Sequence, residues 1–251
     1  MSLQTYVILN DIQYPFEDKR AMRLVLGFID DLKPQGVILN GDIVDCYSIS
    51  DFDRSPLSRA SLDREIRCSQ SLMGRLHRVP IKLWIGGNHE DRLRRHVWKN
   101  PKLLRDLDQA SRERVVAALD FPEVFGLGEH GFSWLPYGGT TYLGKLLVTH
   151  GSMVSRHSGQ TARAHMDKYG TSVLIGHTHR GGVHYKRDIR GVHAGYENFC
   201  LCRLDPEYVQ NPNWQQGFSV VHVASNGFFN VQQIPILPGN RFFSGGTEVK
   251  G

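Results

Sequence analysis

Residues 37–45 read VILNGDIVD: an apolar run halted at Gly41-Asp42, with a second carboxylate, Asp45, three positions on. Short apolar runs closed by turn residues mark buried strands. The pattern repeats on either side. Thr5–Leu9 is an earlier strand ending at Asn10-Asp11, and Ile81–Ile85 a later one ending at Gly86-Gly87. Between them, residues 17–33 place Met22, Val25, Ile29 and Leu32 on one helical face. Residues 57–78 do the same with Leu62, Ile66, Met73 and Leu76. Strand–helix–strand alternation of this kind predicts a parallel sheet with crossover helices.

Further on, residues 89–125 read as polar helix with a break at Asn100-Pro101. Strands are predicted at Phe132–Leu135, Leu146–Thr149, Ser172–Ile175, Val183–Tyr185, Phe218–Val223 and Phe228–Ile236, with one helix near Gly159–Tyr169. The expectation is one α/β domain over residues 1–251: two packed mixed sheets with helices outside. Residues 237–251, rich in glycine, are expected to be a flexible tail.

Composition is that of a globular chain and excludes collagen, coiled coil and wholesale disorder. No apolar run approaches 18 residues, so no transmembrane helix is expected, and the N-terminus lacks the basic segment of a secretory signal. Cys46, Cys68, Cys200 and Cys202 do not make a disulfide framework and are read as reduced thiols, which places the chain in the cytoplasm. The formal charge of +5 is uneven. Residues 54–78 carry six Arg against Asp63 and Glu65, and residues 152–190 seven Lys or Arg against Asp167 and Asp188. Such an excess leans toward anionic partners.

Metal-ligand residue types collect at the strand ends: Asp11-Ile12-Gln13, Gly41-Asp42-Ile43-Val44-Asp45, Gly87-Asn88-His89-Glu90, His150-Gly151 and Gly176-His177-Thr178-His179. Ligands of open α/β sheets bind beyond the carboxyl ends of their strands. Spacing of i, i+2 turns Asp11 with Gln13, and His177 with His179, to one side of an extended chain. A glycine before Asp42, Asn88 and His177 permits close backbone approach. One such residue alone is ordinarily a cap or turn residue. Five groups in order predict a metal site.

The set resembles the calcineurin-like metallophosphoesterases, whose motifs run DxH, GDxxD, GNH(D/E), H and GHxH. The resemblance implies a four-layer α/β/β/α sandwich and a site with two divalent metal ions. One ion would take Asp11, Gln13, Asp42 and His179. The other would take Asp42, Asn88, His150 and His177, with Asp42 bridging. It implies hydrolysis of a phosphomono- or phosphodiester by metal-activated hydroxide. His89 would protonate the leaving oxygen, steered by Asp45, and Asn88 would also face the substrate.

Gln13 departs from that pattern, which has His at this position. An amide oxygen is a harder, weaker donor than imidazole, so preference moves toward Mn²⁺, with Mg²⁺, Zn²⁺, Fe or Ni²⁺ as alternatives. Asp11–Tyr14, DIQY, is similar to manganese-dependent ADP-ribose and CDP-alcohol pyrophosphatases of the superfamily, so nucleotide pyrophosphatase activity is an alternative. A weakly active metal-binding scaffold is another.

Arg156 and Arg180, next to the His150 and His179 motifs, are candidate substrate contacts, because Arg offers a fork of donors to phosphate. Arg92, Arg94 and Arg95 are read as rim or plain surface residues. Glu90 is assigned to a helix cap or pair. Tyr196, Phe199, Tyr208, Trp214 and Phe218 are read as core before base-stacking residues. Arg156–Gly170 and Asp205–Phe218 resemble segments of small phage and prophage phosphoesterases. With the basic charge, this favours DNA, RNA or nucleotide substrates. Oligomeric state has no signature.

Overall fold

The structure, a computed structural model, describes residues 3–51, 55, 57–206 and 211–251. Arg54 and Tyr208, both named above, lie outside the described residues.

Four parallel strands lead the first sheet: β1 (Gln4–Leu9), β2 (Gly36–Asn40), β3 (Ile81–Ile85) and β4 (Ser133–Leu135). The second sheet holds β5 (Thr141–Leu143), β6 (Leu146–Thr149), β7 (Val173–Ile175), β8 (Gly181–Asp188) and β9 (Gly191–Asn198). The chain then returns to the first sheet through β10 (Gly217–Val223) and β11 (Phe229–Pro235). A last hairpin joins β12 (Arg241–Ser244) to β13 (Thr247–Lys250). Strand order is β11-β10-β1-β2-β3-β4 in one sheet and β5-β6-β7-β9-β8 in the other. Both are mixed, with β6, β7 and β9 parallel in the second.

Side-chain alternation along each strand decides the layers. Tyr6 and Ile8 of β1 face the second sheet, where they join Ile38, Val148, Leu174 and Tyr196 in one buried cluster. Val7 and Leu9 face the other way, with Val37, Leu39 and Trp84, onto the helices. These are α1 (Lys19–Leu32), α2 (Leu62–Arg75) and α5 (Phe121–Phe125), with α3 (Asp91–Lys99) and α4 (Gln109–Ala118) between the last two in sequence. On the far side α6 (Gln160–Tyr169) places Ala162 and Met166 against Leu147, Val173 and Ile175. The architecture is the expected α/β/β/α sandwich.

Local chemistry sets the helix ends. Asp18 caps α1 by accepting from the Arg20 and Ala21 amides, and α1 stops where Lys33 turns left-handed before Pro34. Ser61 caps α2 through the Arg64 amide, so that helix begins at Leu62, where its apolar stripe starts, and not at residue 57.

Residues 237–251 depart from the expected flexible tail. The β12–β13 hairpin carries Phe242, fully buried, into edge contact with Phe28 and Phe218 at 5.2 Å each. One aromatic anchor outweighs the surrounding glycines. Among the described residues no helix is long and apolar enough to cross a membrane, and all four cysteines are free thiols.

Candidate metal centre

The carboxyl ends of β1, β2 and β3 in one sheet and of β6 and β7 in the other open on a common edge. The loops leaving them bring Asp11, Gln13, Asp42, Asp45, Asn88, His89, His150, His177 and His179 together. Their backbone is not extended, as the i, i+2 spacing predicts. Asp11, Gln13, Asp42, His177 and His179 all have φ between 50° and 70°, the left-handed region that non-glycine residues seldom occupy. Strain of this kind persists where surrounding structure imposes it, commonly at functional sites. Here left-handed residues at alternate positions converge the side chains. Gly87 serves close approach: a Cβ there would stand 2.1 Å from Asp42 Oδ1.

Within the cluster, His179 Nε2 lies 3.0 Å from Asp11 Oδ1 and His150 Nε2 lies 3.2 Å from Asp42 Oδ2. Gln13 Nε2 is 3.4 Å from His179 Nε2, and amide rotation would present its oxygen there instead. The His150 and His177 rings meet at 5.2 Å between centroids. His150 Nδ1 donates to the Asn40 carbonyl at 2.8 Å, which turns Nε2 inward, its lone pair available once the ring is neutral. Four buried atoms here have no hydrogen-bond partner: Asp11 Oδ1, Asn88 Oδ1, His150 Nε2 and His177 Nδ1. Leaving a buried polar atom unsatisfied costs roughly 1–3 kcal/mol. Ligand atoms about 2.1 Å from a shared cation stand about 3 Å apart, as the Asp11–His179 and Asp42–His150 pairs do. The donor set therefore fits divalent ions, and Asp42, His150 and His177 present ligand atoms within 4.8 Å of one another.

Electrostatics supports that reading. Burial opposes ionisation of Asp42, yet His150 and His89 hold its carboxyl well below the usual range. Burial likewise opposes protonation of His150, but Asp42 pushes it up to about 9. His177 falls to about 4 through burial and its neighbour His150. Protons on imidazole thus occupy the role a cation would take.

His89 sits at the rim of the cluster. Its Nδ1 lies 3.2 Å from the Asp45 carbonyl and 3.4 Å from Asp45 Oδ1, and its backbone amide donates to Asp42 Oδ1 at 2.9 Å. Burial lowers its pKa, but Asp42 and Asp45 together raise it above the ordinary value.

Several contributors escape a reading of sequence. Glu90 stands at the N-cap position of α3, but its side chain does not cap the helix. Its carboxylate is buried and accepts from the amides of Gly87, Asp42, Ile43 and Val44 at 2.7–3.3 Å, clamping the β2 and β3 loops together. Arg92 donates to Asp45 Oδ1 and to the Asp45 carbonyl at 2.7 Å each, and its other nitrogen is 3.2 Å from His89 Nε2. Cys202 Sγ stands 3.7 Å from His179 Nδ1, behind the imidazole. A hydrogen bond from Cys200 brings the Cys202 thiol down to about 6. The signal for Glu90 was its place after GNH. For Cys202 none was available, since its partner lies in another loop.

The two substrate candidates part company. Arg156 is exposed. Arg180 is buried, and its guanidinium donates to the Ser155 carbonyl at 2.7 Å and to the Arg156 carbonyl at 3.0 Å. It fastens the loop after β6 and is not turned toward the cleft. Tyr196, Phe199 and Phe218 are buried core, as expected, whereas Trp214 packs on His179 at 4.2 Å.

Strand-end carboxylates and imidazoles on a four-layer frame define a class of metal-dependent hydrolases. The sequence profile of the calcineurin-like phosphoesterases matches residues 5–209, and the chain belongs to that family, a hydrolase acting on phosphate esters. It is similar to the Gene 54 protein of Mycobacterium phage D29, 29% identical over 258 residues and 94% of each chain. The Gene 54 protein of Mycobacterium phage L5 is 27% identical over 257 residues, again 94% of each. A solved structure of Vps29 from Entamoeba histolytica aligns at a TM-score of 0.48 with 10% identity, covering 94% of this chain and 95% of that one.

Proposed function

We propose that the chain hydrolyses phosphomono- or phosphodiesters of nucleic acid or nucleotide at a centre of two divalent ions, Mn²⁺ foremost. The convergence of four buried, unpartnered ligand atoms carries this reading. Asp11, Gln13, Asp42 and His179 would hold one ion, and Asp42, Asn88, His150 and His177 the other. Bound there, the pair would supply Lewis-acid activation of water and of the phosphoryl oxygens.

The chain's own residues do the rest. Asp42 has one oxygen beside His150 Nε2, and its other oxygen accepts from the His89 amide, which fixes the carboxylate. His89 hands a proton to the leaving oxygen. Asp45 orients its ring through Nδ1, and the two aspartates favour the charged ring against the opposing effect of burial. Arg92 fixes Asp45, and Glu90 fixes the loop that carries Asp42. Asn88 and the exposed Arg156 are the side chains assigned to substrate. Four free thiols suit a reducing compartment such as cytoplasm.

The test is an activity panel of Mn²⁺, Mg²⁺, Zn²⁺ and Ni²⁺ against aryl mono- and diesters, nucleotides and DNA strands. Mn²⁺ is expected to support the fastest hydrolysis, and Gln13→His to narrow its lead over Zn²⁺. Absence of hydrolysis with every metal would overturn the proposal.

A further inference from the structure

Next to the centre lies a groove of about 570 Å³ whose walls include Phe16, Lys19, Arg20, Arg59, Arg64 and Arg203. Glu17 and Asp18 are its acids, two carboxyls against five cations. Asp18 is committed to the α1 amides and to Gln216 Nε2 at 3.0 Å. Glu17 is pushed up by burial, against the pull of Lys19, Arg64 and Arg203. Among the described residues no carboxylate comes within 4.0 Å of the Lys19, Arg20, Arg59 or Arg64 side-chain nitrogens, and Arg203 reaches Asp205 only at 4.0 Å. Lys19 and Arg20 open α1, and Arg64 lies in the first turn of α2. Cations at those ends oppose the helix dipole, so helix stability does not account for them.

A small slot of about 30 Å³ shares wall residues with both groove and centre. Its walls include Gln13 and Asp45 from the site, Phe16 and Arg203 from the groove, and Tyr47 and Trp214 between. Phe16 meets Tyr47 at 5.3 Å edge-on, and the Arg203 guanidinium lies 5.8 Å from the Phe16 ring centroid. Cations interleaved with aromatic rings along a groove are the chemistry that holds single-stranded nucleic acid, backbone to the charges and bases to the rings. A mononucleotide would spend its phosphate at the centre and leave the groove's excess of cations over acids unmatched. A strand brings one further negative charge with each nucleotide.

We propose that the groove binds the phosphates of a single-stranded oligonucleotide adjoining the ester held at the centre, with bases resting on Phe16, Tyr47 and Trp214. The inference rests on the phosphoesterase reading and narrows its substrate from nucleotide to strand.

The probe is a fluorescein-labelled oligothymidylate followed by anisotropy in EDTA, where hydrolysis is suppressed, with the full chain and an Arg59→Ala/Arg64→Ala variant. The variant is expected to bind about tenfold more weakly, with a salt slope shallower by about 1.4, at about 0.7 per lost phosphate contact. With Mn²⁺, its kcat/KM on the strand is expected to fall by a similar factor, while that on bis(p-nitrophenyl) phosphate holds. Equal strand binding by both proteins, or a blunt duplex bound as tightly as the strand, overturns the groove assignment. Strand binding lost in the variant, together with an inert aryl ester in every metal, leaves the groove standing and removes the phosphoesterase reading.

Discussion

His150 Nε2 stands 3.2 Å from Asp42 Oδ2 without a hydrogen bond between them. Because Asp42 raises His150 to about 9 against the opposing effect of burial, the ring holds a proton at pH 7. A cation needs that lone pair, so binding must expel the proton. Calorimetric Mn²⁺ titrations in buffers of different ionisation enthalpy are expected to show at least one proton released at pH 7, His179 on the other ion being raised as well. Affinity is expected to rise about tenfold per pH unit from pH 6 toward 8. Identical heats in all buffers would contradict the arrangement.

Glu90 collects four amides from two loops. Glu90→Gln replaces one acceptor oxygen with a donor that faces N–H groups, and hydrogen bonds to a charged group are each worth about 1.5–3 kcal/mol. The urea midpoint is expected to fall by an amount equivalent to at least about 2 kcal/mol, and kcat to fall with it. A variant of unchanged stability and activity would show that the clamp carries no strain of the Asp42 loop.

His89 is assigned a proton to give. General acid catalysis matters least where the departing oxygen is already stable. His89→Asn is expected to slow esters of poor leaving groups by about 10²–10⁴-fold and p-nitrophenyl esters far less. A uniform loss across a leaving-group series would place His89 on the phosphate instead.

How much of this was legible in the sequence depends on where each partner lies. Strands β1, β2, β3, β6 and β7 are short apolar runs, and the site residues sit at their ends, so both were visible together. Strand β9, GVHAGYEN, was not: Val192 is exposed, and Ala194 and Tyr196 are its apolar pair in the inter-sheet core, too sparse for a strand signal. Besides neighbours three positions off, Glu90 and Arg92 act on groups 46–48 and 47 positions away, and Cys202 on one 23 away, distances that local spacing does not reveal. Arg180 follows His179 directly, yet the turn there buries it under the next loop. The hairpin at residues 241–250 hangs on one ring. Phe242→Ala is expected to cost about 3–5 kcal/mol in chemical denaturation, whereas a flexible tail would lose nothing.

The central claim is that two divalent ions share the Asp42 carboxylate. Anomalous diffraction from crystals grown with Mn²⁺ tests it most directly. The account predicts two peaks about 3.5–4 Å apart, with Asp42 between them and Gln13 beside one. A single peak, or none among these side chains, would contradict it.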